Sequence, residues 1–290
     1  MVSPVEDLQR VFDGAPENAR IHLLPGQYRQ KVVIRTKGLT ITGSGADRTR
    51  LVWGDYARKR DRLGAEFNTF RTYTLAVCAD DVTIRELAVE NDALEPEVKG
   101  QEVALSVVAD GFSMANCLLR STQDTLFLGP LPSDLIGRYE GFLTDDLRSY
   151  GAYRQRFADC RIEGTVDFIF GCGSARFEHC TLHSRMDVRG TGYVAAPAHE
   201  SWQREGFLFR KCLFTADESV APGSVYLARP WRDRGMAVFQ NCTYGPHIAP
   251  DGFDKWSGTN RDRTARFFEE PPVPGRVCWI NRDEQQAYMK

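Results

Sequence analysis

The sequence has no apolar run approaching the roughly 20 residues that cross a bilayer as a helix. Its 37 basic and 39 acidic residues leave a net charge of −2. That excludes the basic footprint of a nucleic-acid binder and any strong acidic field. Eight cysteines are present but no CxxC pair, and the intervals from Cys160 and Cys172 to Cys180 match no zinc spacing. Helical periodicity is scarce outside residues 3–13. The opening, MVSPVEDLQRVFDGAP, lacks a basic segment followed by an apolar one. A cytoplasmic protein is therefore expected, or a secreted one if an export signal has been removed. A composition 42% hydrophobic and 26% charged is that of a folded chain, and residues 1–290 are read as one domain.

What is present is a repeat. FADCRI (157–162), FEHCTL (177–182), FRKCLF (209–214) and FQNCTY (239–244) share one frame: Phe, two polar or small residues, Cys, one residue, then an apolar one. MANCLL (114–119) and IRELAV (84–89) fit it with single replacements. The unit has strand chemistry, rich in Val, Ile, Phe and Thr, with Gly and Asn at its bends. A propeller blade of four strands would need a steadier period; irregular rungs fit an all-β, right-handed parallel β-helix, a single-stranded solenoid with long side loops. Equivalent positions on successive coils then point the same way. Phe and Cys are expected to form interior stacks, with thiols close together but unbonded. VEDLQRVF is expected to cap the N-terminal end as a short helix. The segment from about Asp251 is expected to pack back on the side of the solenoid.

Within this frame two carboxylates share a phase. Asp124 lies seven residues after Cys117, and Asp167 lies seven after Cys160, inside the apolar run VDFIFG that reads as a buried strand. On adjacent coils they would sit about one rung apart, roughly 4.8 Å. Two carboxyls that close are driven apart in pKa, giving an acid beside a nucleophile or base. Asp187 also follows Cys180 by seven residues, so a turn preference could produce the same coincidence. Gln123 and Gln101, on strand-like segments, can donate hydrogen bonds to a developing oxyanion. Arg229, in VYLARPW, can hold one aspartate ionised. Trp231 shares its strand parity and can stack on a sugar face.

These motifs resemble those of the pectin methylesterases, a family of carbohydrate esterases. GQYRQ (26–30), QEVAL (101–105), QDTLF (123–127), EGTVDFIFG (163–171) and LARPW (227–231) look like the family's Gly-x-Tyr-x-Glu, Gln-Ala-Val-Ala-Leu and following motifs, in the family's order. The resemblance implies a metal-independent esterase with no cofactor. Its partner would be methyl-esterified pectin or oligogalacturonides, with no nucleic acid and no membrane, and it would act as a monomer. It makes Asp167 the nucleophile and Asp124 the general acid/base. Gln123 would stabilise the oxyanion, Gln101 would place substrate beside it, and Arg229 would orient Asp167 and touch the sugar carboxylate. Trp231, Phe170 and Thr69 would bind substrate. Gln30 stands where the family has Glu, and Ala228 where it has Gly. Residues 128–153 form a longer connection than the family's plainest version and are expected to wall or lid a groove. A polygalacturonase or lyase on the same fold, or a silent pectin-binding solenoid, are the alternatives.

Overall fold

The structure, a computed structural model, describes residues 1–93, 100–139, 141–148, 151, 153–280 and 282–288. Short Val-, Ile- and Phe-rich segments alternate with bends, and successive segments fall on three different sheets. Among the described residues, the first sheet has nine strands, from Arg20–His22 to Arg266–Glu270, the second eight, from Gly26–Tyr28 to Thr243–Tyr244, and the third seven, from Val32–Ile34 to Val225–Ala228. Neighbouring strands pair in parallel, each with the strand one coil away. The chain is thus the parallel β-helix expected from its repeat.

The six copies of the Phe-x-x-Cys frame run in register. Ile84, Met114, Phe157, Phe177, Phe209 and Phe239 are successive Cα partners down the first sheet. Their side chains point inward, and the rings of Phe157, Phe177, Phe209 and Phe239 stack at 4.9, 4.7 and 4.8 Å between centroids. All eight cysteines are free thiols. Cys117, Cys160, Cys180, Cys212 and Cys242 follow one another in a column, each thiol near enough to the next to perturb it. Each lies against a carbonyl of the coil before, as Cys160 Sγ does against that of Met114 and Cys180 Sγ against that of Phe157.

One residue before each of these positions the backbone turns from the first sheet to the second. Glu86, Asn116, Asp159, His179, Lys211 and Asn241 all have φ between 52° and 56°. This left-handed conformation is one that non-glycine residues seldom adopt, Asn, Asp and His most readily. A small apolar side chain then fills the inside of the corner, Cys on five coils and Leu87 on another.

Both ends are covered. The helix Leu8–Gly14 buries Leu8 and Phe12 against the core, with the Asp7 side chain accepting from the Arg10 backbone N–H. Gln30 supports its first turn from outside: Oε1 accepts from the Leu8 N–H at 2.8 Å and Nε2 donates to the Glu6 carbonyl at 2.7 Å. An amide meets both demands, whereas a carboxylate could only accept, which accounts for Gln where the related motif has Glu. Ala228 is fully buried and its methyl belongs to the core.

At the other end the sequence reading needs correction. Residues 266–270 do not lie on the side of the solenoid; they pair with Met236–Gln240 as the last strand of the first sheet. Phe267 turns inward and stacks on Trp279. Pro and charge on either side of FFEE suggested a surface tail, but the apolar pair satisfies an otherwise open core and strand edge.

The connection after Leu126–Leu128 leaves the coil and folds on the outside. It contains the helical turn Ser133–Ile136 and short 3₁₀ turns at Gly137–Tyr139 and Asp145–Leu147. Leu131, Leu135, Ile136, Tyr139, Leu143 and Leu147 pack on the outer face of the third sheet, against Phe127, Phe170 and Ala196. Ion pairs from Arg35 to Asp146 (2.5 Å) and from Arg232 to Asp134 (2.7 Å) pin it. Of its residues, 140, 149, 150 and 152 lie outside the described set.

Candidate active site

A cleft of about 400 Å³ opens along the third sheet, and all eight residues singled out from the sequence line it: Thr69, Gln101, Gln123, Asp124, Asp167, Phe170, Arg229 and Trp231. They come from five separate coils and connections, so the chain's register is what assembles them.

Asp124 and Asp167 occupy equivalent places on adjacent coils. On the second sheet Leu118 pairs with Arg161; on the third, Leu126 pairs with Ile169. The Asp124 N–H donates to the Val166 carbonyl at 3.0 Å. The expectation that Asp167 sits within a strand is wrong. It lies in the bend between Arg161–Gly164 and Ile169–Gly171, with φ of 50°, and Asp124 lies in the corresponding bend with φ of 65°. Both carboxylates therefore sit on left-handed corners at the head of third-sheet strands, where a short polar side chain is tolerated and aimed outward. Phe168 turns inward and Phe170 outward, so the apolar run looked continuous although its strand begins only after Asp167. Gly171, at φ 128°, closes the motif; a Cβ there would strike the Leu128 backbone.

Asp187 does not join them. Between its coil and the previous one, partners differ by 20 residues on the second sheet (Arg161 with Thr181) but by 26 on the third (Ile169 with Ala195). The extra residues form a loop, and Asp187 pairs with Arg189 there.

The two carboxyls are almost buried, 8% and 7% exposed. Arg229, directly after the strand Val225–Ala228, grips Asp167 bidentately: Nε to Oδ1 at 2.8 Å and Nη2 to Oδ2 at 2.6 Å. Its guanidinium is held between the rings of Tyr193, 3.8 Å from the centroid, and Trp256, 4.1 Å away. Burial raises both carboxyls, and the charge of Asp167 raises Asp124 well beyond its ordinary value. On Asp167 the Arg229 contact opposes burial. Asp124 is thus pushed further toward its protonated form than Asp167, a difference that follows from which of them touches the arginine. The neighbouring Gln123 amide opposes that rise at Asp124.

An aromatic floor adjoins the dyad. Phe170 meets Phe127 at 5.1 Å and Trp231 at 5.8 Å, and Phe70 meets Phe127 at 5.0 Å. Leu135, Arg138 and Tyr139 of the external connection form one side of the cleft, as expected of a wall. Sequence reasoning missed Trp256, Phe70 and Tyr139, which lie on loops and short turns whose direction no periodicity encodes, and Tyr193, which lies on the strand Gly192–Pro197 outside the repeated frame.

Comparisons with known proteins give the chain's family and fold. The Pectinesterase family model matches residues 5–130 and 139–276, leaving out 131–138. The chain is 32% identical over 256 residues to Pectinesterase 31 of Arabidopsis thaliana, covering 86% of this chain and 71% of that protein. It is similar to the solved structure of pectin methylesterase PemA from Erwinia chrysanthemi, with a TM-score of 0.78 and 25% identity, over 95% of this chain and 87% of that one. A pectin methylesterase in complex with a hexasaccharide superimposes with a TM-score of 0.75 at 26% identity, over 88% of this chain and 80% of that one.

Proposed function

Because the chain belongs to the pectinesterase family, we propose that it hydrolyses the methyl esters of pectin or of oligogalacturonides through Asp167 as nucleophile and Asp124 as general acid, then base. The observation that carries this assignment is the bidentate Arg229–Asp167 pair beside a second carboxyl that burial and the charge of Asp167 push toward its protonated form. The ionised Asp167 oxygen adds to the ester carbonyl carbon, and the carbonyl electrons move to oxygen. Gln123, with Gln101, donates to that oxyanion. Collapse breaks the bond to the methoxy group, which leaves as methanol with the proton of Asp124. Asp124, now a carboxylate, takes a proton from water; the hydroxide adds to the substrate acyl carbon, and Asp167 departs as carboxylate. Each cycle returns both groups to their starting states.

The test is release of methanol from methylated pectin and from methylated oligogalacturonides. New reducing ends or unsaturated products in place of methanol would assign the chain to glycosidic cleavage. The pH profile supplies a second check. Activity should fall in acid as Asp167 is protonated and fall in alkali as Asp124 loses its proton, with both limbs belonging to the coupled pair. A profile that rises monotonically through the alkaline range would remove Asp124 from the acid role.

Trp231 is half-buried and lines the cleft, where stacking of a sugar on its ring is worth about 1 kcal/mol. Trp231→Ala should raise KM for the polymer by roughly 5-fold with kcat within about twofold; an unchanged KM would exclude the stacking role. Replacing residues 131–147 by a short link should likewise raise KM for long substrates more than for short ones. Equal kinetics on both would show that this wall does not meet substrate.

A further inference from the structure

The loop between Thr181–Ser184 and Gly192–Pro197 does something no motif foretold. It belongs to the coil after that of Asp167, yet it reaches back across that coil to the one that carries Asp124. Arg185 Nη1 donates to the Ser121 carbonyl at 2.7 Å. Four residues later, Arg189 Nη2 donates to Gln123 Oε1 at 3.2 Å. Arg189 is itself fixed by Asp187 through Nε (2.7 Å), Nη2 (2.8 Å) and its own backbone N–H (2.8 Å). The loop is tied on its far side as well: the Met186 N–H donates to Asp217, which pairs with His183.

We propose that Arg189 is a positioning residue for the reaction: held by Asp187, it fixes the Gln123 amide so that Nε2 faces Asp124 and the reacting carbonyl. The proposal rests on the esterase reading above. An amide has an accepting end and a donating end that a free rotation of χ3 exchanges. Arginine has donors only, so just Oε1 can face Arg189. Nε2 is thereby committed to the other side, where its hydrogens are available to Asp124, whose rise the amide opposes, and to an oxyanion. Without Arg189 the flipped amide would present Oε1 to the dyad, and a carbonyl oxygen there would repel the charge that develops in the transition state.

The same cation bears on the dyad electrostatically. The charged groups facing Asp124 are Asp167 from the next coil, Arg229 from beyond Val225–Ala228, and Arg189 from this loop. Arg189 opposes the upward pull of burial and of Asp167, so its loss should move Asp124 further up.

Three variants test this: Arg189→Gln, Arg189→Lys and Asp187→Asn. Arg189→Gln should lower kcat by about 10- to 100-fold, a fraction of what deleting an oxyanion donor outright costs, with KM within about twofold. The alkaline limb of its pH profile should move to higher pH. Arg189→Lys, which keeps charge and a donor, should restore the limb and part of kcat. Asp187→Asn should fall between. A readout independent of turnover is the titration of the Asp124 carboxyl followed by ¹³C NMR, which should shift upward in Arg189→Gln. Parental kcat with an unmoved Asp124 titration overturns the proposal. So does a rise in KM at parental kcat, which would make Arg189 a substrate contact. If the unaltered protein releases no methanol, the esterase reading falls, and the NMR titration alone decides the role of Arg189.

Discussion

Asp167→Asn should abolish methanol release, with turnover down by at least about 10⁴-fold, while the fold survives. The magnitude follows from the role: an amide cannot add to an ester carbonyl as a carboxylate does, and losing one member of a concerted set typically costs several orders of magnitude. Stability should change little. The Asn Oδ1 still accepts from Arg229, and Arg229 keeps its place between Tyr193 and Trp256. The substitution also removes the negative charge that lifts Asp124. Asp124 in this variant should therefore titrate lower than in the parent, though still above an exposed carboxyl because burial remains. Thermal unfolding, methanol release and the Asp124 titration together check it. Turnover within tenfold of the parent would strip Asp167 of the nucleophilic role.

The second large effect concerns the scaffold. Phe177 has its two faces covered by Phe157 and Phe209, at 4.9 and 4.7 Å, and its edge by Phe207. Phe177→Ala should cost about 3–5 kcal/mol, the transfer of a ring plus the cavity left behind, because rigid neighbouring coils cannot collapse into the gap. Chemical denaturation should show it as a lowered midpoint. A loss below about 1 kcal/mol would mean that the stack relaxes, and that the coils are less tightly registered than the ring spacings indicate.

These two residues also mark what the sequence made legible. Phe177 belongs to a frame repeated six times, and repetition reports side-chain direction: whatever points inward on one coil does so on the next. The thiol column, the register of the first sheet and the alignment of Asp124 with Asp167 were all readable on that basis. Asp167 was placed on the correct face but in the wrong element, because Phe168 and Phe170 are apolar for different reasons, one facing the core and the other the cleft. Trp256, Tyr193 and Arg189 were not readable. Trp256 and Arg189 reach the site on loops, where direction is set by contacts such as Asp187 with Arg189 and not by period, and Tyr193 lies on a strand outside the repeated frame. The resemblance to a family supplied roles for named positions, but not the loop residues that hold those positions in place.

The excursion after Leu128 enters the sequence between the two aspartates, yet in space it branches off sideways. The distance between the carboxyls is fixed by strands paired on either side of the branch point. Its length can drift from one descendant to another while the bond-breaking centre stays where it is. Segment 131–138, which the family match leaves out, lies within this excursion. On the proposed assignment, what the molecule attacks and what it admits are governed by different stretches of one polypeptide, so that each could be altered without retuning the other.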